Sequence, residues 1–175
     1  MRASLKDKIS KIKLLILDVD GVMTNGEIIL DDDGKETKVF NVQDGYGIVL
    51  LQRAGFKTAI LSARTTNAVK ARAVDLKIDK VCQDAYPKIK AYRKLLRDLK
   101  LKNEQACFVG DDLPDIEVLQ NVGFSVAVPN AVNEVKQIVD HITKSEGGQG
   151  AVREVIELIL KTQGKWSGIL KACGV

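Results

Sequence analysis

Short apolar runs alternate with longer segments of helical period along most of the chain, and this alternation limits the fold more than any other feature. The runs "KLLILDV" (13–19), "KTAILSA" (57–63), "DKVCQ" (79–83), "QACFVG" (105–110) and "FSVAV" (124–128) read as strands. Helical patterns lie between them. "DGYGIVLLQRAG" opens on an acid and stops at Gly55, and "TTNAVKARAVDL" follows the second core strand. "PKIKAYRKLLRDLK" and "LPDIEVLQNVG" carry Pro87 and Pro114 in their first turns, and "NAVNEVKQIV" opens on Asn130. "AVREVIELILKTQG" is the last amphipathic helix, preceded by the flexible loop "GGQG". "EIILDDDGKETKVFNV" breaks the rhythm and reads as two short strands around "DDDG". Repeated β-α units predict an α/β fold: a Rossmann-like three-layer sandwich with a mostly parallel sheet. The hairpin after the first strand is too short to be a cap domain, and residues 1–175 are expected to form a single domain.

Right-handed crossovers place the carboxyl end of every parallel strand on one edge of the sheet, where ligands of open α/β sheets bind. The first strand ends in Asp18 and Asp20, followed at once by Gly21. Turn chemistry alone accounts for such a pair, and so does a site for a hard cation. The other strand ends add Ser62 and Arg64, Lys88 ahead of the third helix, and Asp111, Asp112 and Asp115. Each has a bland reading as a cap or a surface charge, but together they suit one reaction. Asp18, Asp20 and Asp111 supply oxygen ligands for Mg²⁺. One carboxylate attacks phosphorus, and Ser62 and Lys88 hold the phosphoryl oxygens. The other aspartate protonates the leaving alcohol and then activates water.

Composition narrows the partners. The net charge of +4 mildly favours an anionic ligand. Aromatic residues make up only 5% and do not interleave with the lysines, so a nucleic-acid platform is not expected. The N-terminal "MRASLKDKISKIK" has no evident signal peptide, and the apolar run after it is too short to span a membrane, so a cytoplasmic protein is expected. Cys82, Cys107 and Cys173 lie too far apart for a zinc site and are odd in number, which predicts free thiols. His141, the only histidine, reads as structural.

The segments "DVDGV", "LSAR", "PKIKAY" and "GDDLPD" resemble the four motifs of the haloacid dehalogenase-like phosphatases. "FNVQDGYGI" and "GGQGAVREV" narrow this to a resemblance to the 3-deoxy-D-manno-octulosonate 8-phosphate (KDO 8-phosphate) phosphatase family, from about Lys13 to Lys165. The resemblance implies a cytoplasmic Mg²⁺ enzyme, typically a homotetramer, acting on a sugar phosphate in lipopolysaccharide synthesis. It implies Asp18 as nucleophile and metal ligand, and Asp20 as acid/base that lends its backbone oxygen to the metal. Asp111 is then the third ligand, with Asp112 and Asp115 in support, and Ser62 and Lys88 hold phosphate. Asn41, Val42, Gln43, Asp44, Gly45, Arg64 and Arg72 would contact substrate. The tail, about 147–175, would cover a neighbouring subunit's site. Two positions depart from the family pattern: "SAR" stands for "TGR", and Gln149 stands where many members have arginine.

Three other readings stay open. A nine-carbon keto-sugar phosphate would suit the same residues. A non-catalytic assembly domain of this fold would keep the framework. A receiver domain also gathers Asp, Ser/Thr and Lys at strand ends, but its acidic pair comes early and its phospho-acceptor later, the reverse of the order here.

Overall fold

Strand β1 (Leu14–Leu17) is completely buried, and its central place in the sheet follows from that. The computed structural model describes residues 4–174; residues 1–3 of the charged N-terminus and Val175 of the tail lie outside them. The hairpin strands are β2 (Ile29–Leu30) and β3 (Glu36–Thr37), and the remaining strands are β4 (Lys57–Leu61), β5 (Lys80–Cys82), β6 (Ala106–Gly110), β7 (Phe124–Ala127) and β8 (His141–Ile142). The main sheet has the order β5-β4-β1-β6-β7-β8, and every pair in it is parallel. Covered on both faces, β1, β6 and β7 are buried at every position rather than at alternate ones.

The helices are α1 (Leu5–Ser10), α2 (Val42–Arg53), α3 (Asn67–Asp75), α4 (Lys88–Leu99), α5 (Ile116–Leu119), α6 (Asn133–Lys136), α7 (Ala151–Thr162) and α8 (Trp166–Ala172). The chain runs outward from β1 through β4 to β5, then crosses back to β6 on the other side of β1. Right-handed crossovers therefore put α2 and α3 on one face and α4 to α6 on the other. Helix α7 returns to the first face and packs along α2, with α1 and α8 against it. The direction of travel reverses at β1, so the crevice at the carboxyl end of β1 is the switch point. Among the described residues no cap covers it; the insert is the β2–β3 hairpin, as the sequence predicts.

The local differences from the sequence reading have local causes. Helix α1 was not expected, although Ser4 and Asp7 form a capping box that starts it. The segment 113–123 is not one helix. It is a 3₁₀ turn, Leu113–Asp115, followed by the four-residue α5. Helix α6 is also four residues long, and Val132 rather than Asn130 occupies its N-cap position. Asn130 instead donates to the Gly21 carbonyl and accepts from the Gly147 amide, both at 2.9 Å. Helix α8 continues the chain past the last expected helix, and Trp166 at its start lies under the cations of Arg153 and Lys161.

The tail lies on its own body. The Gly148 amide donates to the Val22 carbonyl at 2.9 Å. A Cβ on Gly147 would lie 1.8 Å from the Gly21 oxygen, so only glycine allows this approach. Among the described residues no helix is long and apolar enough to cross a membrane. The three cysteines are free thiols, and His141 sits in edge strand β8.

Candidate active site

The carboxyl end of β1 delivers Asp18 into a cleft of about 250 Å³, lined also by Asp20, Ser62, Arg64, Lys88 and the 111–115 loop. Asp18 is 7% exposed. Its Oδ1 accepts from the Val19 amide at 2.7 Å, and its Oδ2 lies 2.7 Å from Lys88 Nζ. Lys88 is the first residue of α4, and its side chain is 3% exposed. The same Nζ donates at 2.6 Å to Asp115 Oδ1, fully buried in the 3₁₀ turn after β6. The other oxygen of Asp115 accepts from the Asp111 amide at 3.0 Å and from the Asp112 amide at 3.4 Å. Lys88 is thus aimed by two acids and presents one cation to the cleft. The Ser62 hydroxyl, directly after β4, is buried and accepts from the Arg64 amide at 3.2 Å.

Carboxylate oxygens of Asp18, Asp111 and Asp115 lie within 4.8 Å of one another. Burial pushes the Asp18 pKa well above the carboxylate range, Asp115 raises it further, and Lys88 opposes. Asp111 rises to about 7, from burial and then from Asp115. Lys88 loses by burial but gains more from Asp18 and Asp115, so its pKa is raised. The Oδ1 atom of Asp111 is buried with no hydrogen-bond partner, a donor without a cation. Hard oxygen donors, a surplus of negative charge and an orphaned carboxylate oxygen together fit Mg²⁺. Asp18, Asp111 and the backbone oxygen of Asp20 would hold it, because Asp115 is already committed to Lys88 and two amides. Gly21, at φ +83°, allows the approach: a Cβ there would stand 2.1 Å from Asp111 Oδ2.

The carboxylate of Asp20 lines the same cleft and is held from the hairpin side. Its Oδ1 accepts from Lys38 Nζ, and its Oδ2 lies 3.8 Å from Arg64 Nη1. Lys38 also pairs with Glu36 at 2.6 Å, and Arg64 donates to the other oxygen of Glu36 at 2.7 Å. Two acids and two bases close a ring at the root of the hairpin. Lys38 and Glu36 were missed in the sequence, where Glu36-Thr-Lys38 places both on one side of an extended segment; that spacing was the available signal.

Other expected substrate residues lie outside the cleft lining. Asn41 caps α2, its side chain accepting from the Gln43 and Asp44 amides. Val42 and Gln43 are exposed on the first turn. Asp44 is buried, and its carboxylate accepts from the amides of Gly150, at 3.3 Å, and Arg153, at 2.8 Å, so it caps α7. Gly45 packs against the Arg72 guanidinium. Arg72 pairs with Asp75 at 2.6 Å and lies over the Phe40 ring. Asp112 is exposed and caps the 3₁₀ turn.

The raised Asp111 pKa carries a prediction. Its folded value, about 7, exceeds the ordinary 3.8, so the folded protein holds a proton that the unfolded chain has lost. The metal-free protein therefore loses stability as pH rises through that window. Magnesium requires the carboxylate, so its stabilising effect grows over the same window. Thermal melts should show a larger Mg²⁺-induced shift at about pH 8 than at about pH 5.5. Asp111→Asn should abolish the shift and raise the metal-free melting temperature at the higher pH. An equal shift at both pH values would remove Asp111 from the metal site.

Comparisons with known proteins agree with this geometry. The family model described as haloacid dehalogenase-like hydrolase matches residues 80–156. The 3-deoxy-D-manno-octulosonate 8-phosphate phosphatase of Escherichia coli (strain B / BL21-DE3) is 42% identical over 163 residues, covering 93% of this chain and 87% of that protein. The Moraxella catarrhalis phosphatase of the same name, solved with a magnesium ion, a phosphate ion and KDO, superposes with a TM-score of 0.94 at 38% identity, covering 96% of this chain and 97% of that one. The cobalt-bound Haemophilus influenzae phosphatase superposes at 0.88 and 38% identity, covering 90% and 92%. With so much of both chains aligned, and the acids, serine and lysine gathered where the motifs predict, the chain belongs to the KDO 8-phosphate phosphatase family of haloacid dehalogenase-like hydrolases.

Proposed function

We propose that the protein is a Mg²⁺-dependent phosphatase that hydrolyses KDO 8-phosphate to KDO and phosphate, in the cytoplasm, as a step of lipopolysaccharide precursor synthesis. The observation that carries this reading is the Asp18–Lys88–Asp111 cluster, set in a fold whose Moraxella relative was solved with magnesium, phosphate and KDO. An oxygen of Asp18 attacks phosphorus, and the bond from phosphorus to the sugar oxygen breaks. Asp20 gives its proton to that oxygen. It then takes a proton from water, which attacks the aspartyl phosphate and frees the Asp18 carboxylate. Lys88 and Ser62 hold the phosphoryl oxygens. Bound magnesium offsets the negative charge shared by the phosphoryl group and the carboxylates.

The test is a panel of sugar phosphates, assayed with and without Mg²⁺. KDO 8-phosphate should have the highest kcat/KM, ahead of nine-carbon keto-sugar phosphates and p-nitrophenyl phosphate. Absence of any preference for keto acids would overturn the substrate, and absence of Mg²⁺-dependent hydrolysis would overturn the enzyme. We further propose a homotetramer. Ile28, Ile29, Leu30, Val39 and Val42 form an exposed apolar group on the hairpin and the start of α2, a surface suited to burial between copies. The outer side of the tail and α8 would face a neighbour in that assembly. Light scattering that finds only monomer would defeat it.

A further inference from the structure

We infer that Lys38 is a positioning residue for Asp20: it pins Oδ1 of that carboxylate and so presents Oδ2 to the leaving oxygen of the substrate. The inference rests on the phosphatase reading and adds to it a residue outside the four motifs.

The hairpin offers little stability of its own, since each strand is two residues long. Yet the Lys38 side chain at its root is 1% exposed, between Asp20 and Glu36. A buried ammonium is tolerated only where anions face it. Glu36 is held in turn by Arg64 at 2.7 Å. Lys38 therefore cannot drift without breaking the ring, and neither can the carboxylate it grips. Asp20 needs such a grip. Its side chain has staggered alternatives at χ1, and it stands two residues from Asp18 beside a cluster that attracts a cation. An unheld carboxylate there would turn toward the cation and become a ligand, withdrawing from the leaving group. Asp20 lines the cleft; with Oδ1 bound to Lys38, Oδ2 is left for the substrate, since Arg64 Nη1, at 3.8 Å, stands beyond hydrogen-bond length. The proton that passes to the sugar oxygen, and later the proton taken from water, sit on Oδ2.

Leaving groups of different basicity separate positioning from mere folding. Nitrophenolate departs without a proton, whereas the sugar alkoxide requires one. Lys38→Met should therefore form the aspartyl phosphate from p-nitrophenyl phosphate at close to the normal rate. It should release one burst of nitrophenolate per subunit and then turn over slowly, because hydrolysis of the intermediate still needs Asp20 as base. With KDO 8-phosphate both steps should slow, with kcat down roughly 10- to 100-fold, a share of what general acid–base catalysis supplies. The Mg²⁺-induced thermal shift should persist, which shows that the fold and the metal site are intact. Asp20→Asn should give the same pattern more severely, and Lys38→Gln, which retains a donor, should fall between. A burst lost in proportion to the sugar-phosphate rate would overturn the inference, because Lys38 would then serve Asp18 or the fold. Unchanged turnover on KDO 8-phosphate would overturn it as well. An inactive unmodified protein would overturn the phosphatase reading along with it.

Discussion

Asp18→Asn is expected to abolish turnover, by at least about 10⁴-fold, in line with losses seen when a nucleophile is removed. The cause is specific to the atom. The amide keeps an oxygen that Lys88 can bind, so the ion-paired corner of the site loses a charge but not its shape. What it lacks is a carboxylate able to form an acyl phosphate. Stability should not fall with activity. Asp18 is buried beside Asp115 and Asp111, and its pKa is already driven well above the ordinary range. Removing its charge relieves repulsion in the metal-free protein. The thermal midpoint without metal should be unchanged or higher at neutral pH, while the Mg²⁺-induced shift should shrink. Acid-quenched samples of the unmodified enzyme should carry one phosphoryl group, and those of the variant none. Hydrolysis by Asp18→Asn at near-normal rates would refute the covalent route.

Lys88→Met should have the largest effect on stability. Lys88 Nζ is the shared partner of two acids, at 2.7 and 2.6 Å, and its side chain is 3% exposed. Methionine fills the volume but leaves both carboxylates unpaired. Breaking a buried ion pair from one side costs about 3–5 kcal/mol. The sign of the pH dependence follows from the charges. In the unmodified protein the raised Lys88 pKa gives stability that is complete below the ordinary 10.5 and is lost as pH rises past the folded value. In the variant the unpaired carboxylates bind protons more readily in the folded state than in the unfolded one, so acid relieves the defect. The deficit measured by denaturant unfolding should thus be greater at about pH 7 than at about pH 5. A loss under about 1 kcal/mol, the scale of an exposed pair, would mean that water reaches the cluster.

Much of this site could be read without coordinates because parallel β-α order does the gathering. Once the runs ending at Asp18, Leu61 and Gly110 are taken as neighbouring parallel strands, Asp18, Ser62 and Asp111 must share an edge; β4, β1 and β6 are adjacent. Lys88 could be placed because it opens the helix that crosses back over the sheet. The side chains' partners were a different matter. Asp44, expected to meet a sugar, also caps a helix more than a hundred residues later. Arg72, expected to meet a carboxylate, also packs on Gly45 and the Phe40 ring and pairs with Asp75. Asn130 looked like a helix cap, but it clamps Gly21 to Gly147.

Those outcomes divide along a physical line. Periodicity and turn chemistry act over a few residues, and they were enough to determine the α/β class, the parallel sheet, the hairpin and the edge on which the acids meet. Helices α5 and α6 lie where they are expected but are shorter, because one turn has too little period to fix its ends. Tertiary packing alone decided that Asp20 faces the hairpin while Asp18 and Asp111 face each other, and that the glycine loop seals the back of the D-x-D-G turn. A buried charge takes whichever opposite charge the folded chain brings within reach. For Asp20 that charge is Lys38, whose spacing from Glu36 says that the two share a side but not which acid Lys38 meets beyond the hairpin.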